Sequence, residues 1–177
     1  EDELYLIAQN RERFTEIGVL PCVSDPRTVE LCRDKYAFYQ HLCSHHLPTV
    51  TSCNSYADFQ KAEQENTMHF PVFFKPARGC GSIGIQKVED PELLKALCHC
   101  QKEPYLIQNY ANGEEFGADI YVDLLSHRPV SIFVKQKLRM RAGETEKSLS
   151  FRDEQLFALI LKTVSTLSLS GPVDMDL

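Results

Sequence analysis

Nowhere in the 177 residues does an apolar run approach the roughly 18 residues that a membrane-crossing helix needs. No charged segment followed by an apolar one opens the chain, so no secretory signal is expected and a cytoplasmic location is. Basic residues are not in excess. Lys and Arg number 19 against 25 Asp and Glu, giving a net charge of −6, which argues against the broad basic face that nucleic acid requires. Internal repeats and low-complexity segments are also missing. Two CxxC pairs at finger spacing are absent, although seven cysteines are scattered along the chain. Cys98 and Cys100 fall in an expected helix, where positions i and i+2 point apart. His41, His45 and His46 surround Cys43 and read either as the polar end of a helix or as a ligand cluster. Reduced, buried thiols suited to a reducing compartment are the expectation.

What is present begins with helices. Leu4, Leu6, Ile7, Phe14 and Ile17 recur at near-helical spacing up to Gly18, and Val19-Leu20-Pro21 reads as a short strand or bridge. Asp25-Pro26 places a capping carboxylate before proline at the first helical position, for a helix to about Arg33. A second helix is expected from Asp34 to about His45, and an amphipathic one over Ser55–Glu65. The character then changes. Phe70–Pro76 and Ile83–Val88 read as strands around a glycine-rich turn, and Asp90-Pro91 caps a helix to about Cys100. Tyr105–Tyr110 reads as a strand. Ala118, Ile120, Val122 and Leu124 alternate with polar residues, as in a strand with one buried face. Val130–Met140 is its antiparallel partner. Asp153 caps a helix with Leu156, Phe157, Ile160, Val164 and Leu167 on one stripe, and a strand begins after Gly171-Pro172. Helices first and an antiparallel unit afterwards predict an α+β fold.

The segment Phe73-Phe74-Lys75-Pro76-Ala77-Arg78-Gly79-Cys80-Gly81-Ser82-Ile83-Gly84 is the most informative. A charged lysine inside an apolar strand is unfavourable unless something compensates it. Gly79, Gly81 and Gly84 let backbone N–H groups approach an anion without interference from Cβ, and Ser82 adds a hydroxyl donor. The ending GK[ST] of a P-loop is absent. A dinucleotide fingerprint leading into a helix is absent too, because a strand follows. A hairpin whose glycine tip folds over phosphates fits these residues; a flexible turn beside a snorkelling lysine is the plainer alternative.

Lys75-Pro76 followed by this loop resembles the strand-loop-strand of the ATP-grasp superfamily, in its carbamoyl-phosphate-synthase-like branch. Asp34-Lys35, about forty residues upstream, is similar to the family's first nucleotide-contacting lysine. The resemblance extends to Leu106–Glu115, which looks like the strand that joins the two lobes and holds adenine. It implies that Gln108 and the Asn109 carbonyl face the adenine amino group, with Tyr110 in the same stretch. It also implies that the Ala111 N–H faces a ring nitrogen and that Glu115 accepts from the ribose hydroxyls. Many relatives carry glutamate where this chain has Gln108, and an amide oxygen can accept in the same way. Lys135, Lys137, Arg139 and Arg141 alternate, so strand geometry puts all four on one face. The plain reading is a solvated outer face. The family's R-x-R-x-G-E pattern implies instead that Arg139, or Arg141 next, holds a substrate carboxylate or the transferring phosphoryl group. Asp174 and Asp176 share one face of the last strand, and the resemblance implies that Asp176 ligates Mg²⁺.

The implied fold is the ATP-grasp one, with two α+β lobes whose antiparallel sheets clasp ATP. Residues 1–24 are expected to be a remnant of a preceding Rossmann-like domain. Residues 25–108 are expected to form the small lobe and 109–177 the large one. The implied activity is an ATP-dependent ligase that makes an acyl-phosphate from a small carboxylate, captured by an amine or another nucleophile. Nucleotide, Mg²⁺ and the acid are the implied partners; nucleic acid and membrane are not, and a homodimer is allowed for the full-length protein. The family's Glu-x-Asn metal ligands would follow about a dozen residues beyond Asp176, after the chain ends, so this piece alone is expected to be inactive. A nucleotide-binding regulatory module that keeps the fold without chemistry is the second reading, and an interaction domain that binds no nucleotide is the third.

Overall fold

The computed structural model describes residues 2–79, 81–141 and 144–177, without the side chains of Asp2 and Glu144. Contacts divide the chain into two units, one made of residues 32–112 and the other of residues 1–31 with 113–177.

The 32–112 unit is built on a four-stranded antiparallel sheet. Helix α4 (Lys35–Ser44) is its first complete element. Asp34 starts α4 because its carboxylate accepts from the Tyr36 and Ala37 N–H groups, at 3.1 and 3.0 Å. The remaining elements are β1 (Ser52–Cys53), α5 (Tyr56–Gln64), β2 (Val72–Pro76), β3 (Gln86–Val88), α6 (Pro91–Cys100) and β4 (Tyr105–Asn109). Ser55 caps α5, and Asp90 caps α6 ahead of its proline. The sheet order is β1-β4-β2-β3. One face packs on α5 and α6 through Cys53, Phe59, Met68, Val72, Phe74, Val88, Leu94 and Ile107, all nearly sealed from solvent. Each large apolar side chain sealed there contributes about 1.5–3 kcal/mol. The opposite face carries Ser52, Gln108, Phe73 and Lys87 as one cross-strand row. Lys75 stands two residues beyond Phe73 on that face.

The other unit contains α1 (Asp2–Gln9), α2 (Arg11–Glu16), most of α3 (Pro26–Arg33), β5 (Phe116–Val122), β6 (Pro129–Arg141), β7 (Glu144–Phe151), α7 (Glu154–Ser165) and β8 (Gly171–Asp176). Its sheet order is β7-β6-β5-β8, antiparallel throughout. Ala118, Ile120, Val122 and Val134 face Ile160 and Val164 of α7 in a single core. The Asp153 carboxylate caps α7, accepting from the Gln155 and Leu156 N–H groups at 2.8 and 2.9 Å. Gly171 has a positive φ of 81°, and a Cβ there would lie 3.0 Å from the Cys22 carbonyl oxygen. Among the described residues no helix is long and apolar enough to cross a membrane.

The α+β expectation holds, and four local expectations change. The first helix is two, divided at Asn10, whose side-chain amide donates to the Leu6 carbonyl at 2.8 Å; local side-chain bonding of this kind competes with the helix. Val19-Leu20-Pro21 forms no strand, because proline removes a ladder donor. The strand expected from Ile83 starts at Gln86, since the tight turn consumes residues 81–84. Burial of the thiols holds only in part. Cys53 is buried, and its low-polarity surroundings push the thiol up to about 12; Cys98 is half-buried; Cys22, Cys32, Cys43 and Cys100 are exposed. Cys80, within the glycine loop, and Gly143, within the R-x-R-x-G-E pattern, lie outside the described residues.

Candidate functional site

Two polar clusters contain most of the residues selected from the sequence, one in each unit. In the 32–112 unit, Lys75 is half-buried on β2 and donates to the Gln108 Oε1 of β4 at 2.7 Å. The Gln108 amide nitrogen donates to Ser52 Oγ at 2.9 Å, and Ser52 donates to the Val50 carbonyl at 2.8 Å. Burial, and next the charge of Lys35, lowers the Lys75 pKa. A cation in this position faces a neutral amide and a like charge. An anion would relieve both deficits.

Lys35 begins α4 beside the loop root. Its N–H donates to the Ala77 carbonyl at 2.9 Å, and its ammonium donates to the Gly79 carbonyl at 2.6 Å. The loop itself is built from left-handed backbone: φ is 116° at Gly79, 64° at Gly81, 58° at Ser82 and 75° at Gly84. At Gly84 a Cβ would also sit 2.9 Å from Pro76 Cγ, so glycine is required there by both conformation and space. Ser82 adopts that conformation despite its Cβ, and Ile83 at the tip is 81% exposed. The structure therefore brings Lys35, Lys75, Gly79, Gly84 and Gln108 together around the loop root, with Gly81 and Ser82 in the turn.

Farther along β4, the Asn109 side chain donates to the Thr67 carbonyl at 3.0 Å and accepts from the His69 N–H at 3.2 Å. The Tyr110 N–H donates to the Pro71 carbonyl at 3.2 Å. The Tyr110 ring lies 5.3 Å from Phe73, with the Lys87 ammonium 4.7 Å from its centre. Ala111 is exposed at the end of this unit, before the division at residue 112.

In the other unit the outward face of β5, β6 and β8 is densely charged. Lys137 lies between two carboxylates, 2.8 Å from Glu115 and 2.5 Å from Asp176, with its side chain only 5% exposed. Burial opposes its charge, but the hydrogen bonds it donates to Asp176 and then Glu115 outweigh that and raise the pKa. Lys135 sits 2.7 Å from Asp119 and 4.0 Å from Asp174. Burial first, then repulsion from Asp176, raises the Asp174 pKa. Gly117 makes room for this packing: a Cβ there would lie 3.0 Å from Lys135 Cε and 3.3 Å from Lys137 Cε.

Lys135, Lys137, Arg139 and Arg141 do not continue as one regular row. The β6–β7 register shifts between Lys137 and Arg139 and again between Arg139 and Met140, which interrupts the alternation. The two lysines pair with acids of β5, β8 and the preceding loop. The two arginines instead share Glu146 of β7: Arg139 Nε is 2.7 Å and Arg141 Nη1 3.6 Å from its carboxylate. Both arginines are largely exposed, at 62% and 79%. Lys137, Gly117, Glu146 and Ser52 were not singled out as partners from the sequence. Only strand register makes them neighbours, and β1 and β7 carry too weak a local signal to place it.

A profile of the ATP-grasp domain matches residues 32–177. Curated proteins yield no sequence match. Solved structures resemble the chain over nearly its whole length. L-amino acid ligase from Bacillus licheniformis superposes with a TM-score of 0.65 at 18% identity, covering 96% of this chain and 42% of that one. D-alanine–D-alanine ligase from Bacillus anthracis gives 0.64 at 16%, covering 94% and 59%. The biotin carboxylase domain of 2-oxoglutarate carboxylase from Hydrogenobacter thermophilus, solved with MgADP, ADP and bicarbonate, gives 0.71 at 16%, covering 98% and 42%. The chain thus spans about half the length of these relatives. With two antiparallel sheets dressed by helices and a domain profile matched over most of its residues, the chain belongs to the ATP-grasp family.

Proposed function

We propose that the chain is the nucleotide-binding core of an ATP-dependent ligase that activates a small carboxylate as its acyl-phosphate, for capture by an amine or another nucleophile. The observation that carries this reading is Lys75: a half-buried ammonium bonded to a neutral amide, with Lys35 close enough to lower its proton affinity. Two lysines converging beside a loop of left-handed glycines suit a polyphosphate, whose negative charge would offset theirs. Gln108, the Asn109 carbonyl, Tyr110 and the Ala111 N–H then serve the base, and Glu115 the ribose. Arg139 and Arg141 are suited to a carboxylate or phosphoryl group through paired N–H donors, which would displace Glu146. Catalysis by such residues is positioning and charge neutralisation, with no side-chain nucleophile.

Asp176 offers oxygen donors of the kind Mg²⁺ takes, and Asp174 shares its face on β8. Among the described residues no group of three or more acidic, histidine or cysteine side chains could hold a metal. Phosphate oxygens and water would be among the ligands that complete the coordination, as is usual for this ion. When bound, Mg²⁺ neutralises phosphate charge and polarises the phosphoryl group.

Two measurements test the proposal. Calorimetric titration with an unhydrolysable ATP analogue and Mg²⁺ should give saturable binding; a flat titration refutes the nucleotide site. In the full-length protein, isotope-labelled carboxylate should deliver its label to the released phosphate. Binding without that transfer supports the regulatory reading instead.

A further inference from the structure

A carboxylate of the chain itself occupies the arginines proposed to meet the substrate acid. One oxygen of Glu146 lies 2.7 Å from Arg139 Nε, and the other lies 3.6 Å from Arg141 Nη1. The Glu146 side chain is 31% exposed, better sheltered than either arginine. The β6–β7 ladder pairs Arg139 with Lys147, Met140 with Thr145 and Arg141 with Glu144. Glu146 is thereby anchored between those pairs, within cross-strand reach of both arginines. Its carboxylate can leave a guanidinium but cannot leave the neighbourhood.

Two guanidiniums have capacity for two carboxylates, because one planar fork with parallel N–H groups satisfies one carboxylate. Glu146 is the first of the two. Its contact with Arg141, at 3.6 Å, exceeds hydrogen-bond length. Arg141 is therefore the looser partner, and its exposed fork is the part that a ligand reaches first. The charges are two positive and one negative, a sum of +1. One incoming carboxylate neutralises that sum. A second carboxylate on the same ligand would bring it to −1 and stand against Glu146.

We infer that Glu146 is a specificity-determining residue that fills one of two carboxylate places at Arg139 and Arg141, so that the acid taken there is a monocarboxylate rather than a dicarboxylate. This rests on the carboxylate site proposed above and names its substrate class. Glutamine at position 146 would keep the shape of the side chain and remove the charge that rejects the second carboxylate.

The test is a chemical-shift titration of the Arg139 and Arg141 side-chain N–H signals in the full chain. The probes are butyrate and succinate, matched in chain length, at one ionic strength and at a pH where both are fully ionised. The parent should hold succinate no more tightly than butyrate. Glu146→Gln should strengthen both and shift the ratio toward succinate by about five- to tenfold, the effect of removing one nearby charge in partly screened surroundings. Glu146→Asp keeps the charge and should retain the parent's ratio. Equal gains for both acids in Glu146→Gln overturn the inference, since Glu146 is then only a competitor for the arginines. A parent that already prefers succinate overturns it as well. If neither acid moves the arginine signals in any variant, the carboxylate site and this inference fall together, while calorimetric binding of the ATP analogue would still uphold the nucleotide site. Thermal melts of each variant identify any loss that comes from unfolding.

Discussion

Replacing Lys75 by methionine should leave stability nearly unchanged while sharply lowering nucleotide affinity. Methionine keeps most of the apolar stem, so packing on β2 is largely preserved. It removes an ammonium held by one neutral hydrogen bond at 2.7 Å and opposed by Lys35. A hydrogen bond to a charged group contributes about 1.5–3 kcal/mol, and here the desolvation of a half-buried cation offsets much of that. The expected stability change is within about 1 kcal/mol of zero. Affinity should suffer far more. One or two charge-assisted bonds to phosphate, at about 1.5–3 kcal/mol each, correspond to a loss of about 10- to 10⁴-fold. Chemical denaturation and calorimetry with an ATP analogue, on the same preparations, separate the two quantities. Unchanged affinity, or a large drop in stability, refutes the argument, since the lysine would then be an ordinary structural residue.

The sign of the pH effect follows from the same geometry. The folded chain holds the Lys75 proton less tightly than the unfolded one. The stability contributed by this group is therefore fully present above its ordinary value of 10.5 and is lost as pH falls through the lowered folded value. Phosphate should restore the proton affinity. Near that folded value, nucleotide binding should take up a proton, which calorimetry in buffers of different ionisation enthalpy detects.

Lys137→Met should cost about 1–3 kcal/mol in chemical denaturation, because Glu115 and Asp176 lose the cation between them. The Lys137 pKa is raised, so its contribution is fully present below 10.5 and lost as pH rises through the folded value; a denaturation series in alkaline buffers reads this directly. Glu146→Gln should leave stability within about 1 kcal/mol, since Arg139 and Arg141 are mostly exposed. It should strengthen binding of a small carboxylate or phosphate at those arginines, measured by chemical-shift titration. Gly84→Ala should destabilise by about 1–3 kcal/mol, from the positive φ and the 2.9 Å approach to Pro76, and should weaken nucleotide binding by distorting the loop.

The local grammar of the chain was readable in advance. Asp34, Ser55, Asp90 and Asp153 start helices because a short side-chain acceptor before a run of free N–H groups satisfies them wherever the helix lies. The alternation over β5 and the stripe on α7 each reveal a buried face for similarly local reasons. Lys75 also announced itself, through the mismatch between its charge and its apolar strand. The break at Asn10 and the short β3 were less legible, because a side-chain amide and a four-residue turn compete with periodicity over only a few residues.

By itself, then, the sequence determined most of the helices and strands, though not β1 or β7, where the glycine turn falls, and that an awkward cation precedes it. Those outcomes depend on capping, periodicity and backbone freedom, all of which act within a few residues. Only tertiary structure decided that Lys137 would stand between Glu115 and Asp176, that the arginines would turn to Glu146, and that Ser52 would hold Gln108. Such partnerships depend on strand order, register and bulges across as many as 56 residues of chain. They are set by which sheets the apolar faces build rather than by the charged residues that meet there.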